Sequence, residues 1–326
     1  MDAASAIIKN KFGNLIFAIL LFFSIFIWNC SDSFGQSEEL KVSDAPIIYD
    51  ANGRSIKVEK PFKRIISLYG AHTENLFYLG LDNEIIGVTR NESYPEAARK
   101  KPVFSAQEDP EKFLGSGADL VLVRPMIERG YPNLIKRLEQ SKIAVISLQP
   151  GTVDEMYDYW RTLGVLTGRV GQAEKMVADF KERVEFYKSN IDKQIAQNKI
   201  TPKRVYFEAI HSKMKTFTPG SMALFALEAA GGVNVAVDAA ASRGTNIGNY
   251  GKEKILSHAE EIDVFLAQNG VMNQTSIDII KNEPGFGVIK AVKENEIYII
   301  DEMIVSRPCF RLLQGIEEIS DILYKK

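Results

Sequence analysis

Pro61-Phe-Lys-Arg-Ile-Ile-Ser-Leu-Tyr-Gly-Ala-His-Thr-Glu-Asn-Leu-Phe-Tyr-Leu-Gly80 is the stretch that decides the fold. Ile65 to Leu68 is a short apolar run and reads as a buried strand. Tyr69 and His72 fall in the tight turn that follows, and Thr73 to Leu79 reads as a helix ending at Gly80. The unit therefore sets an aromatic hydroxyl, an imidazole and the Glu74 carboxylate at the carboxyl end of a strand. In open α/β sheets that edge is where ligands bind.

Outward from this unit the alternation continues. Before it, Ile47 to Val58 reads as a hairpin turning at Asn52-Gly53. After it, strands are expected at Ile85–Val88, Leu120–Val123 and Ile143–Ser147, and helices at Pro132–Glu139 and Val153–Leu166. Strands separated by helical patterns argue for βαβ units and a mainly parallel sheet. Then Val170, Ala173, Val177, Phe180, Val184, Tyr187, Ile191 and Ile195 recur at steps of three and four. This is one amphipathic helix of about 28 residues, or roughly 40 Å at 1.5 Å per residue. Such a length suits a rigid strut between two lobes; the plainer alternative is a helix lying on one domain's surface.

Past Thr201-Pro202 the pattern restarts. Strands are expected at Arg204–Phe207, Val264–Ala267 and Ile297–Ile300, and helices at Met222–Ala229, Thr275–Asn282, Gly287–Lys293 and Pro308–Tyr324. Ser257-His258-Ala259-Glu260 matches a capping box, which makes His258 the start of a helix. The division that results is residues 1–35 as a signal peptide, 36–60 as tether and hairpin, 61–167 as a first α/β lobe, 168–198 as the linking helix and 199–326 as a second α/β lobe.

The 326 residues are 45% hydrophobic and 25% charged, with a net charge of −2. That is the balance of a globular protein, and the missing basic excess argues against nucleic-acid binding. Lys9 and Lys11 precede an uncharged apolar run from Leu15 to Trp28, short for a membrane span and right for an export signal. Ser33-Phe34-Gly35 offers a cleavage site. Cys30 is alternatively a lipidated first residue, although Trp28 and Asn29 depart from the small residues such a site uses, and an uncleaved anchor is the third possibility. The protein is thus expected to be exported, periplasmic or lipid-anchored at the outer face of the cytoplasmic membrane, and in contact with a membrane only through that lipid. Cys309 is left as a single thiol, so no internal disulfide is expected. No sustained heptad demands a second copy, and a monomer is expected.

The order and spacing of these motifs resemble the substrate-binding proteins of ABC importers that take up ferric siderophores, cobalamin and haem. The motifs are the hairpin, Arg64-Ile-Ile-Ser-Leu with the Thr73-Glu74 helix start, Ala118-Asp-Leu-Val-Leu-Val123, the long helix, Leu227-Glu-Ala-Ala-Gly-Gly-Val-Asn234 and Gly287-Val-Ile-Lys-Ala-Val-Lys-Glu-Asn-Glu-Ile-Tyr298. The resemblance covers most of residues 45–326 and implies two α/β lobes with mainly parallel sheets, bridged by one long rigid helix, with the ligand cleft between them. It also implies that one carboxylate per lobe docks to the permease, which with its ATPase completes the importer. Glu74 matches the first position and Glu228 is the second-lobe candidate.

Two such lobes would present strand-end loops to the cleft. From the first lobe these carry Tyr69, His72, Arg90, Arg124, Met126 and Arg129; from the second, His211, Lys213, Lys215, Arg243, Asn246, Tyr250, Met272 and Arg307. The cations suit an anionic ligand, since a guanidinium binds carboxylate or phosphate bidentately. Tyr69 and Tyr250 would stack on a bulky face. Tyr69, His72 or His211 would reach iron only if haem were the ligand, and three histidines are too few for a bare metal site. The leading expectation is capture of a ferric siderophore with no cofactor of the protein's own. Cobalamin or another corrinoid, and haem, are the alternatives. An exported hydrolase is more remote, because no G-x-S-x-G elbow, H-E-x-x-H or P-loop occurs and Ser67 lies inside an apolar strand. A tethered scavenger working without a permease is a further alternative.

Overall fold

In the computed structural model the described residues are 45–241 and 245–325; the expected export signal, Cys30, nearly all of the expected tether and Arg243 lie outside them. The chain enters through the antiparallel hairpin of β1 (Ile47–Tyr49) and β2 (Ser55–Lys57). Gly53 has φ 77° in its turn, a conformation that glycine adopts at little cost.

The first lobe runs β3 (Ile65–Ser67), α1 (Gly70–Tyr78), β4 (Ile85–Val88), α2 (Pro110–Gly115), β5 (Leu120–Val123), α3 (Pro125–Gly130), α4 (Pro132–Gln140), β6 (Ala144–Ser147) and α5 (Val153–Thr167). Its four strands lie in the order β4-β3-β5-β6, all parallel. All four residues of β5 are buried, as befits a strand covered by helices on both faces. Helix α5 starts at a complete capping box: the Thr152 hydroxyl accepts from the Glu155 amide and the Glu155 carboxylate accepts from the Thr152 amide. Replacing Thr152 by alanine is expected to lower stability by about 1 kcal/mol in urea unfolding, with ligand binding unchanged.

Helix α6 (Val170–Asn198) is 29 residues long, as its periodicity predicts. Its buried stripe holds Ala173, Met176, Val177, Phe180, Val184 and Ile191. Phe180 meets Trp160 of α5 at 5.3 Å between ring centroids, Phe310 at 5.8 Å and Phe225 at 6.4 Å. One face of the helix is therefore buried against both halves of the chain, which is a strut and not a surface helix.

The second lobe runs β7 (Arg204–Ile210), β8 (Lys215–Phe217), α7 (Met222–Ala229), β9 (Val233–Asn234), β10 (Ala240–Ala241), β11 (Ile247–Asn249), α8 (Lys252–Ser257), β12 (Val264–Asn269), α9 (Ile277–Lys281), α10 (Lys290–Lys293), β13 (Ile297–Asp301), α11 (Glu302–Val305) and α12 (Leu312–Tyr324). The sheet order is β10-β11-β8-β7-β12-β13, with β9 also on β7. Strands β7, β9, β12 and β13 pair in parallel, whereas β8, β10 and β11 are antiparallel. The second sheet is thus more mixed than the sequence suggests.

Three local expectations are corrected. His258 follows the last turn of α8 instead of opening a helix, because the Ser257 hydroxyl donates back to the Lys254 carbonyl at 2.8 Å. The helix expected from Gly287 is broken at Ile289, leaving a tight turn and the short α10. The last helix begins at Leu312 and not at Pro308, whose carbonyl accepts from Asn75 of the first lobe at 2.9 Å.

The main hydrophobic core contains Ile65, Leu120 and Trp160 from one side and Phe207, Leu227 and Ile316 from the other. A close-packed core shared by both lobes resists large relative motion.

Candidate functional site

The carboxyl ends of the two sheets face each other. Asn246 Nδ2 donates to the Gly151 carbonyl at 2.9 Å, Ser93 Oγ donates to Met303 Sδ at 3.0 Å, and Arg307 reaches Glu74 at 2.9 Å, each across the seam. These contacts set the segments after β3, β4 and β6 of the first lobe against the segment after β13 and the turn before β11 of the second.

Tyr69 is half-buried at the end of β3. The Arg124 guanidinium carbon lies 4.3 Å from its ring centroid, a cation–π contact that holds both side chains at the strand ends. Burial pushes the Tyr69 hydroxyl above its ordinary pKa, against the opposing charges of Arg124 and Arg307. Arg124 precedes Pro125 at the start of α3, where Met126 and Arg129 are exposed. Arg90 is exposed and lines a hollow of about 320 Å³ with Asn91, Phe104, Gln107 and Tyr131. Sequence reasoning thus brings Tyr69, Arg90, Arg124, Met126 and Arg129 to one edge. On the opposing lobe Met272 is 46% exposed after β12, and Lys213 is exposed after β7.

Other candidates are placed elsewhere. His72 is fully buried: its Nε2 faces the Val123 carbonyl at 3.0 Å and its Nδ1 faces Tyr159 Oη at 2.7 Å. Burial lowers its pKa to about 4, so the ring is neutral, with Nε2–H donating and Nδ1 accepting the tyrosine proton. It holds α1 against β5 and is not available to a ligand. His211 is bonded through Nδ1 to Glu208 at 2.8 Å, with Nε2 3.5 Å from Glu283. The Glu208 hydrogen bond raises its pKa, and burial raises that of Glu208. One nitrogen is taken by Glu208, the other is buried without a hydrogen bond beside Glu283, and with only 6% of the residue exposed the ring is out of a ligand's reach. Tyr250 is 7% exposed and packs on Tyr206 in the second lobe's own core, out of reach of a stacking ligand. Ser67 is buried and donates to the Tyr69 carbonyl at 3.1 Å, which is a structural bond and not a nucleophile's setting.

Glu74 departs most from expectation. Its side chain is 3% exposed, and it accepts from Arg307 Nη1 at 2.9 Å and from Arg311 Nη2 and Nε at 2.7 Å each. The carboxylate placed at a docking surface by resemblance is here enclosed by arginines of the opposite lobe. Arg307 correspondingly serves Glu74, and its guanidinium lies so close over Gly70 that a Cβ there would fall 2.3 Å from Nη1. Glu228 is exposed on α7, as a docking carboxylate requires. Sequence reasoning missed Arg311 and Glu92. Arg311 lies 4.3 Å over the Tyr94 ring, and Glu92, in the loop after β4, is buried with its carboxyl raised to about 7 by burial. No spacing rule singles out either residue. No metal-holding cluster of His, Cys, Asp or Glu occurs among the described residues.

Two α/β lobes, a buried strut and a cleft edged by stacked and cationic side chains define a solute-binding protein of the two-lobed kind. Residues 65–303 match the family described as periplasmic binding protein, and the chain belongs to that family. Over 315 residues it is 26% identical to the ABC transporter substrate-binding lipoprotein YvrC of Bacillus subtilis, covering 95% of this chain and 96% of the relative. It is 23% identical to the vitamin B12-binding protein of Vibrio cholerae, over 81% of this chain and 91% of the relative. The crystal structure of a possible iron-binding periplasmic protein from Staphylococcus epidermidis superimposes with a TM-score of 0.69 and 27% identity, over 81% of this chain and all of that one. The protein is accordingly a substrate-binding component of the ABC-importer type.

Proposed function

We propose that the protein captures a corrinoid outside the cytoplasmic membrane and delivers it, unaltered, to an ABC permease. The observation that carries this reading is the charge balance of the cleft. Arg124 rests on Tyr69, but Arg307 and Arg311 are held by Glu74, and Glu92 adds a buried carboxyl beside them. The edge is less cationic than the sequence suggests and favours a ligand rich in neutral amides over one rich in carboxylates. Both candidate imidazoles are bonded internally, which leaves Tyr69, itself against Arg124, alone of the three candidates for haem iron, whereas a corrinoid carries its metal with no need of a protein ligand. The vitamin B12-binding relative, aligned over nearly its whole length, supports the same choice.

The second reading, a ferric siderophore, is favoured by the exposed Arg90 and Arg129. A thermal-shift panel on residues 36–326 separates the two. A ligand at about 100 times its dissociation constant adds roughly 2.7 kcal/mol and raises the melting temperature visibly. A rise with cobalamin or cobinamide and none with ferric siderophores or haemin is the expected result. A rise confined to a ferric hydroxamate or catecholate would replace the corrinoid reading.

A further inference from the structure

Glu92 is 8% exposed, yet the protein does little to satisfy its carboxyl. Its Oε2 is buried with no hydrogen-bond partner among the described residues. Its Oε1 lies 3.3 Å from Thr73 Oγ1, whose proton has a better acceptor in Ser67 Oγ at 2.8 Å. The charge of Arg307 favours its ionisation, but that guanidinium is already bonded to Glu74, and Glu74 itself opposes ionisation. The loop is not loose, because Ser93 is bonded to Met303 of the other lobe and Tyr94 lies under Arg311. A second orphan sits at the same edge: Arg124 Nε is buried without a partner, above the Tyr69 ring. Thr73 Oγ1 lies within hydrogen-bond distance of both Glu92 Oε1 and the Tyr69 carbonyl, which ties the loop after β4 to the end of β3.

Buried polar groups are nearly always paired, and each exception calls for an explanation. Here an acceptor in the loop after β4 and a donor at the end of β5 both lack partners at the strand ends that edge the cleft. A carboxamide offers an N–H to the first and a carbonyl to the second, whereas a carboxylate offers acceptors only. We propose that Glu92 is a specificity-determining residue of the cleft, whose unpaired oxygen takes a hydrogen bond from a ligand N–H and selects a carboxamide edge over a carboxylate edge. This rests on the corrinoid reading and deepens it.

The test compares two probes, dicyanocobinamide with carboxamide side chains and dicyanocobyrinic acid with carboxylates. Dissociation constants are measured for the wild type, Glu92→Gln and Glu92→Ala, each checked for folding by circular dichroism. At about pH 8, where the Glu92 carboxyl is ionised, the wild type is expected to prefer the amide probe by about tenfold or more, the effect of one well-made hydrogen bond to a charged group. Glu92→Ala should weaken the amide probe by about tenfold. Glu92→Gln, which can donate as well as accept, should narrow the preference to within about threefold. An unchanged preference in Glu92→Gln, or none in the wild type, overturns the role of Glu92 while the corrinoid reading stands. A wild type that binds neither probe and is stabilised by a ferric siderophore overturns both.

Discussion

Glu74→Ala is expected to cost about 3–5 kcal/mol, the scale for breaking a buried ion pair from one side. The variant leaves two guanidiniums, 15% and 14% exposed, in a seam built to neutralise them. Against a total stability of about 5–15 kcal/mol this is a large fraction, and the urea midpoint should fall by about a fifth or more. Arg311→Ala should cost less, because Glu74 keeps Arg307. A double-mutant cycle between positions 74 and 311 would then give a coupling of about 1–3 kcal/mol. A loss under about 1 kcal/mol for Glu74→Ala would mean that the carboxylate is solvated, as a surface pair is. The same geometry bears on the permease. We propose that Glu228, exposed on α7, is the carboxylate available for docking, while Glu74 is enclosed by Arg307 and Arg311.

Glu92→Gln is expected to change how stability depends on pH. Burial raises the Glu92 carboxyl from 4.5 to about 7, so the folded protein holds a proton that the unfolded chain releases. Its contribution is fully present below pH 4.5 and is lost as pH rises through 7, by about 3 kcal/mol at 1.36 kcal/mol per unit. His72 works in the opposite sense. Burial lowers it from 6.5 to about 4, so its contribution is present above pH 6.5 and is lost as pH falls through 4. Between about pH 4.5 and 6.5 the two slopes oppose each other. Removing Glu92 leaves that of His72, and the stability of the variant relative to the wild type should rise steadily from pH 4.5 to 7. Paired urea melts at four or five pH values measure this difference, from which the shared titrations of Glu208 and His211 cancel. A flat difference would show that Glu92 ionises as an ordinary carboxyl.

How far the sequence could be read depended on how local each signal was. The strut was legible to within a residue because its apolar period of three to four needs only neighbours along the chain. The buried runs at Ile65, Leu120 and Val264 were legible as strands for the same reason. Helices α2 and α3 were missed although Pro110 and Pro125 stand at their starts, a position that suits proline's missing N–H. Strands β8, β10 and β11 are two or three residues long and carry no period to detect. His258 was misread because Ser257 fits a helix start by composition, while its hydroxyl in fact bonds a carbonyl of the preceding turn.

Of the proposed cleft, the sequence placed Tyr69, Arg90 and Arg124 at strand ends, where the fold has them. It could not assign partners. Glu74 lies 233 residues from Arg307 and 237 from Arg311 in the chain, and no local pattern foretells that two arginines of one lobe will close over a carboxylate of the other. The sequence presented His72, His211 and Tyr250 as polar groups near strand ends. Only tertiary packing decided that each faces inward onto its own lobe, and that Glu92, which no motif marks, is buried at the seam with an unpaired oxygen. Periodicity is written in neighbouring residues and survives translation from sequence to structure. Charge pairing and desolvation depend on which distant segments the fold brings within a few ångströms, and they were settled only when the lobes closed on each other.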